Sequence, residues 1–163
     1  MIAIPWSKES KQYAVLRSNA NNFAASELGP VADELENTVD SPLFWKVVEK
    51  AGNMGMMAAL LPEKLGGEGV DPYSLCVALE ECAVESAGFA AALLFHNAAL
   101  VPLVYTDRKD LVEEFTSGKP LATTATSGSL KLEGERLSGK ATFVFNVLEG
   151  CPVLVFPESP TGQ

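Results

Sequence analysis

Apolar positions along the first two-thirds of the chain recur at three- and four-residue spacing, whereas those of the last third run in short β-branched and aromatic stretches. The first rhythm predicts helices and the second predicts strands. Ser7 is placed to cap a first helix carrying Tyr13, Leu16, Phe23 and Ala24, and Gly29-Pro30 ends or bends it. A short helical stretch is expected over 31–35. Ser41-Pro42 is a strong start signal, with Ser as cap and Pro at the first helical position. Phe44, Val47, Val48 and Ala51 then form one apolar face, and Gly52 is a natural stop. Asp71-Pro72 repeats the start logic ahead of Leu75, Cys76, Leu79, Cys82 and Ala83. Glu80, Glu81 and Glu85 fall off that stripe; adjacent helical positions diverge by about 100°, so Glu80 and Glu81 are expected on a solvated face. An apolar helix through 90–100 follows. Asp107 opens another, with Leu111 and Phe115 on its face and Gly118 at its end.

From Leu121 the rhythm changes. Residues 121–126, 141–147 and 152–156 read as strands, and Glu133-Gly134-Glu135 reads as a tight hairpin turn between 130–132 and 136–138. The tail 157–163 is expected to fray. The fold class is therefore α+β: an N-terminal α-helical bundle over 1–119, followed by a small antiparallel β segment over 120–163. Such a β segment is a poor unit alone, because a strand edge left open presents unpaired N–H and C=O groups. The uncharged stretch 141–147 does not protect itself by charge. A homo- or hetero-oligomer is therefore expected.

Charge narrows the class of partners. With 21 acidic and 12 basic residues the formal charge is −9, which speaks against a nucleic-acid groove. Stretch 87–105 approaches spanning length, but His96, Asn97 and Pro102 interrupt it, and a buried central helix is expected in place of a membrane span. The start of the chain lacks the basic and apolar regions of a signal peptide. Cys76, Cys82 and Cys151 fit neither a disulfide framework nor a structural metal site. They read as small buried residues in a reducing compartment, and the expected location is cytoplasmic.

Pro62-Glu63-Lys64-Leu65-Gly66-Gly67-Glu68-Gly69 resembles the P-E-x-x-G-G-x-G turn of acyl-CoA dehydrogenases. Segments in the family's order surround it. Gly52-Asn53-Met54-Gly55 precedes the turn, and Leu79-Glu80-Glu81-Cys82-Ala83 follows it. Phe95-His96-Asn97-Ala98-Ala99-Leu100 is similar to a helix containing "vHnsL". Stretches 105–119 and 137–146 are similar to the next two family segments. The resemblance implies an N-terminal helical domain, a partial middle β domain over 120–163, an acyl-CoA substrate and FAD as cofactor. It also implies α,β-dehydrogenation, in which a carboxylate takes the α-proton and the flavin takes the β-hydride.

The chain departs from the family pattern in three ways. It ends within the middle domain, so the resemblance assigns no catalytic residue here, and the chain is expected to be incomplete as a catalyst alone. The family's flavin-phosphate loop T-E-P-x-x-G-S-D has no counterpart. Thr124-Ala125-Thr126-Ser127-Gly128-Ser129 runs directly into Leu130, leaving Ser127 where that motif's Thr would stand. The "W-I-T-N" segment reads Phe143-Val144-Phe145-Asn146, and Phe145 offers no hydroxyl. The cofactor candidates are thus Ser127, Phe143 and Asn146.

The resemblance also makes Phe89, Leu94, Phe95 and Ala98 candidates for an acyl-chain tunnel, with ordinary core packing as the equal alternative. Phe95 in particular is expected in the bundle interior. His96, the single histidine, lacks Asp or Cys company and reads as a hydrogen-bonded helix residue in preference to a polar group beside the acyl channel. Ser127 and Ser129 suit a β-turn better than a phosphate site. Met54, Met56 and Met57 are expected to fill a core gap. A non-catalytic binding or oligomerisation partner built on the same fold remains the rival to an enzyme.

Overall fold

A computed structural model of the chain describes residues 11–38, 41–106 and 109–157. The expected Ser7 cap, the Asp107 start and the tail beyond Pro157 lie outside these residues. Six α-helices are described: α1 (Lys11–Phe23), α2 (Ala32–Asn37), α3 (Pro42–Asn53), α4 (Pro72–Glu85), α5 (Ala87–Leu100) and α6 (Lys109–Phe115). The strands are β1 (Thr123–Ala125), β2 (Gly128–Glu133), β3 (Arg136–Ala141) and β4 (Val153–Val155).

Local chemistry explains most of the boundaries. Ser41 caps α3 by accepting a hydrogen bond from the Leu43 N–H, with Pro42 at the first helical position. Asp71 caps α4 through the Tyr73 and Ser74 N–H groups, and those bonds, with the Ser74 hydroxyl first, hold its carboxyl below the usual range. Ser86 ends α4 and caps α5, accepting from the Phe89 N–H at 3.2 Å. At Gly29-Pro30 the first helix bends without stopping. It widens to a π-helix at Ala24–Leu28, tightens to a 3-10 turn at Gly29–Val31, and continues as α2.

Helix α1 packs on α4, α4 on α5, and α5 on β1. One apolar cluster joins Phe23, Leu28, Val48, Met57, Phe89 and Leu93, so Met57 fills the core as expected while Met54 is exposed. A second cluster joins Leu61, Leu100, Val112, Phe115 and Ala122. Each such side chain contributes about 1.5–3 kcal/mol by leaving water. Helix α5 runs into a 3-10 turn at Val101–Tyr105; by length and composition this segment could cross a membrane. In the fold, α5 is the central helix, burying Phe89, Leu93, His96, Asn97 and Leu100.

Several sequence expectations are corrected. Helix α4 buries Ser74, Leu75, Val77, Ala78 and Cys82, and leaves Cys76 and Ala83 exposed. Its apolar face is therefore turned from the expected stripe, and only Cys82 is a fully buried cysteine, its thiol pushed up to about 12 chiefly by burial. Glu81 is not simply solvated. Its carboxylate accepts from Asn21 at 2.9 Å and from Arg17 at 2.5 Å, bonds that, Asn21 first, lower its pKa and tie α4 to α1. Glu80 accepts from the same Arg17 at 2.8 Å from an exposed position. Strands β2 and β3 form an antiparallel hairpin, with Glu133 opposite Arg136 across Gly134-Glu135, as the turn signal predicts. Strand β1 pairs with β4 in parallel. Residues 142–152, expected to include a strand, form an irregular strap in which Phe143 and Asn146 each have φ of 54°. That left-handed backbone is incompatible with a strand.

Candidate functional site

A cavity of about 460 Å³ opens where the helices meet the strap. Phe89 and Ala92 of α5 form one wall, Phe44 of α3 another, and Phe145, Val147 and Leu148 of the strap close it. Phe89 and Ala92 stand three residues apart on one helix face, so a single face of α5 supplies its wall. Aromatic rings stiffen the interior: Phe89 lies 6.3 Å from Phe44 and 6.1 Å from Phe23, centroid to centroid. The volume and lining suit an apolar small-molecule tail.

Asn146 holds the strap to the helix. Its side-chain amide donates to the Ala92 carbonyl at 2.9 Å and to the Ala122 carbonyl at 3.4 Å. The left-handed backbone at Asn146 is the conformation Asn tolerates better than most residues. The peptide of Ala122 is gripped from the other side by His96, whose Nδ1 accepts from the Ala122 N–H at 2.8 Å. The His96 Nε2 lies 2.9 Å from the Phe115 carbonyl, which can only accept, so Nε2 carries the proton and the ring is neutral. Burial pushes the His96 pKa down to about 4, against a smaller opposing effect of the Phe115 bond. Asn97 is occupied as fully: its amide donates to Met56 and Leu93 carbonyls and its oxygen accepts from the Leu60 N–H. These two adjacent polar residues fasten α5 to its neighbours, and neither lines the cavity.

The candidate residues separate. Phe89 and Asn146 line the cavity, and Phe95 adjoins it by stacking on Phe145 at 4.3 Å with 9° between the rings. Phe95 is half-buried, which corrects the expectation of a core position. Leu94 is 42% exposed and Ala98 half-buried, and neither lines the cavity. Ser127 is exposed, with its hydroxyl 3.2 Å from that of Thr142, and the Phe143 ring is 88% exposed. Phe44, Ala92, Leu121 and Leu148 also line the cavity and were not singled out from sequence. Ala92 could have been found by its three-residue step from Phe89; Leu148 could not, because nothing in the sequence marks the strap as irregular.

These positions bear on the cofactor that the family resemblance implies. Ser127 is engaged with Thr142, Asn146 turns its amide inward to two carbonyls, and Phe143 projects to solvent. Ser127 and Phe143 lie near one another on an exposed face, linked through Thr142, while Asn146 spends its amide on holding the strap. Among the described residues no group of three or more His, Cys, Asp or Glu could hold a metal ion.

A helical bundle whose central helix and an irregular strap border a largely apolar, open-sided cavity defines the α+β class of this protein. The family model "Acyl-CoA dehydrogenase, N-terminal domain" matches residues 10–108, and the chain belongs to the acyl-CoA dehydrogenase family. A probable acyl-CoA dehydrogenase of Bacillus subtilis is 29% identical over 127 residues, covering 76% of this chain and 32% of that protein. The mitochondrial short-chain specific acyl-CoA dehydrogenase of Bos taurus is 28% identical over 163 residues, covering 88% of this chain and 39% of that protein. In fold the chain is similar to an acyl-CoA dehydrogenase from Geobacillus kaustophilus, with a TM-score of 0.75 and 16% identity over 96% of this chain and 46% of that one. The aligned part of the chain thus spans 32% to 39% of the length of these curated relatives.

Proposed function

We propose that this chain serves a flavin-dependent system that oxidises acyl-CoA thioesters by α,β-dehydrogenation, and that its own contribution is the apolar cavity that receives the acyl chain. The observation that carries this reading is the cavity between α5 and the strap, lined by Phe44, Phe89, Ala92 and Phe145. Such a cavity binds a hydrocarbon tail by removing it from water, at about 0.8 kcal/mol per methylene. Proton abstraction is not assigned to any described residue: the one ionisable side chain lining the cavity is Glu36, which is exposed.

We infer that the chain alone is catalytically incomplete and binds FAD weakly or not at all, because the family's flavin-phosphate loop has no counterpart after Ser127 and Phe145 offers no hydroxyl. The same departures favour the second reading, a non-catalytic partner that keeps the family's packing without its chemistry. Titration with acyl-CoAs, equilibrium dialysis with FAD and a dye-linked dehydrogenase assay separate the readings. Acyl-CoA binding without flavin binding or turnover supports the proposal. Stoichiometric FAD binding at micromolar concentration overturns the incompleteness, and absence of any acyl-CoA binding leaves the non-catalytic partner.

A further inference from the structure

We propose that a second recess, on the outer face of α3, binds a nucleoside diphosphate, free or as the nucleotide end of coenzyme A. Pro42, Trp45, Lys46 and Glu49 line one wall of this recess of about 340 Å³, and Lys119 lines the other. The four α3 residues follow at three- and four-residue steps and so share one helix face, while Val47, Val48 and Ala51 of the same helix turn to the core. No residue of the recess lines the larger cavity. Close packing fixes the second wall. Gly118 has φ of 76°, and a β-carbon there would lie 2.7 Å from the Met57 side chain and 3.1 Å from that of Val48. A β-carbon at Gly52 would lie 2.7 Å from the Ser117 carbonyl oxygen. The segment 117–118 is thus pressed against α3, and Lys119 emerges beside Trp45.

The Lys119 ammonium stands over the Trp45 ring, 5.9 Å from its centroid, and Lys46 brings a second ammonium to the same recess. Lys50, further along α3, is taken up by Glu27, whereas neither Lys46 nor Lys119 has a carboxylate within ion-pair distance among the described residues. Two such ammonium groups on one recess draw an anion that the chain's formal charge of −9 repels elsewhere. A diphosphate offers each of them an oxygen. The indole and the Pro42 ring supply the flat apolar wall that a phosphate does not need and a base does. A phosphate that draws Lys119 off the indole leaves that face for the base to stack on. Glu49 is the one carboxylate among the residues lining the recess, and it opposes the anion. Phe44, whose ring meets Trp45 edge-on at 5.4 Å, lines the larger cavity, as does Leu121, two residues beyond Lys119. The two recesses therefore share their flanks, so the nucleotide end of a coenzyme A thioester held here would sit close to the cavity proposed for its acyl chain.

The test is calorimetric titration of the full chain with ADP, coenzyme A and inorganic phosphate, alongside the fluorescence of Trp45 in the W6F variant, where it is the remaining indole. ADP carries no acyl chain, so failure of the acyl-CoA reading leaves this test untouched. ADP is expected to bind, to quench Trp45, and to bind more weakly as salt rises. K46A and K119A are each expected to lower ADP affinity by about tenfold or more, as loss of a charged hydrogen bond does, with the thermal melt unchanged at these exposed positions. E49Q is expected to tighten binding. If W6F fails to fold, the difference between wild type and W45F gives the same fluorescence reading. Equal affinity for ADP and coenzyme A assigns the recess to a free nucleotide. Coenzyme A binding about tenfold tighter than ADP, with the same loss in K119A, assigns it to the coenzyme A head. Inorganic phosphate binding as tightly as ADP overturns the site. So does affinity that K46A and K119A leave unchanged, or absence of ADP and coenzyme A binding at millimolar concentration.

Discussion

His96 is wholly buried, with one ring nitrogen accepting from Ala122 and the other donating to Phe115. A second ring proton would occupy Nδ1, the acceptor of the Ala122 N–H, so protonation breaks that bond and puts a charge in the core. The folded-state pKa of about 4 lies below the ordinary 6.5. The sign follows directly: the contribution is complete above about pH 6.5, where the ring is neutral whether folded or not, and is lost as pH falls toward 4. The loss is on the order of 1 kcal/mol per pH unit. Urea melts between pH 7 and 5 are expected to show this slope in the wild type and not in His96→Gln; equal slopes would remove His96 from the account. Phe95 illustrates the opposite case. Half-buried and stacked only on Phe145, it does not carry the cost of a buried Phe, about 3–5 kcal/mol on truncation to Ala. Phe95→Ala is expected to cost about 1–2 kcal/mol in a denaturant melt, whereas Leu93→Ala, at a fully buried position, is expected to cost about 2–5 kcal/mol.

At the scale of elements, the turn Pro62–Gly69 shows two glycines required for two reasons. Gly66 ends a 3-10 turn with φ of 83°, a conformation glycine adopts freely, and a β-carbon there would make only an ordinary 3.8 Å contact with the Thr116 methyl. Gly67 has ordinary φ but no room: a β-carbon there would lie 2.2 Å from the Leu61 carbonyl oxygen and 2.5 Å from that of Ala58. Gly66→Ala is therefore expected to cost about 1 kcal/mol, and Gly67→Ala several kcal/mol because backbone must move, with thermal melts of the two variants as the measure. Comparable costs for both would mean that the segment shifts freely. This turn was legible in the sequence, as were the Ser41 and Asp71 caps and the β2–β3 hairpin, because each is decided by residues within four positions of one another. What was not legible depended on distant partners. The burial of α4 is turned because Arg17 and Asn21 of α1 draw Glu81 inward. Uncharged, β-branched 141–147 reads as a strand, yet Asn146 spends its amide on Ala92 and Ala122, residues far away in sequence, and the backbone follows. The cavity was half legible for the same reason: its α5 face shows helical spacing, and its strap face shows none.

For the whole molecule, the question is what covers the β part. An uncharged edge strand was expected at 141–147, but beyond Ala141 these residues form the irregular strap. All four strands are edges; β2 and β3 carry Lys131, Glu133, Arg136 and Lys140, so the hairpin protects itself by charge, whereas β1 and β4 carry none. The exposed apolar surface lies in the strap and β4: Phe143 is 88% exposed, Val147 63%, Phe156 55% and Val153 40%. Single exposed apolar residues are ordinary, but these four and the 45% exposed Phe145, five within fourteen positions and three of them aromatic, make a surface that costs free energy to leave in water. The β elements are also only pairs of strands, which are marginal units without further packing. Self-association or binding to another chain through this surface is the expected remedy. Light scattering behind size-exclusion chromatography over a dilution series is expected to show species heavier than 17.3 kDa at high concentration. Phe143→Ser together with Phe156→Ser is expected to shift that equilibrium toward monomer while the helical melt is unchanged. A monomer at every concentration, with the β1 and β4 amides protected from hydrogen exchange, would show that the β part is self-sufficient and the exposed aromatics have another use.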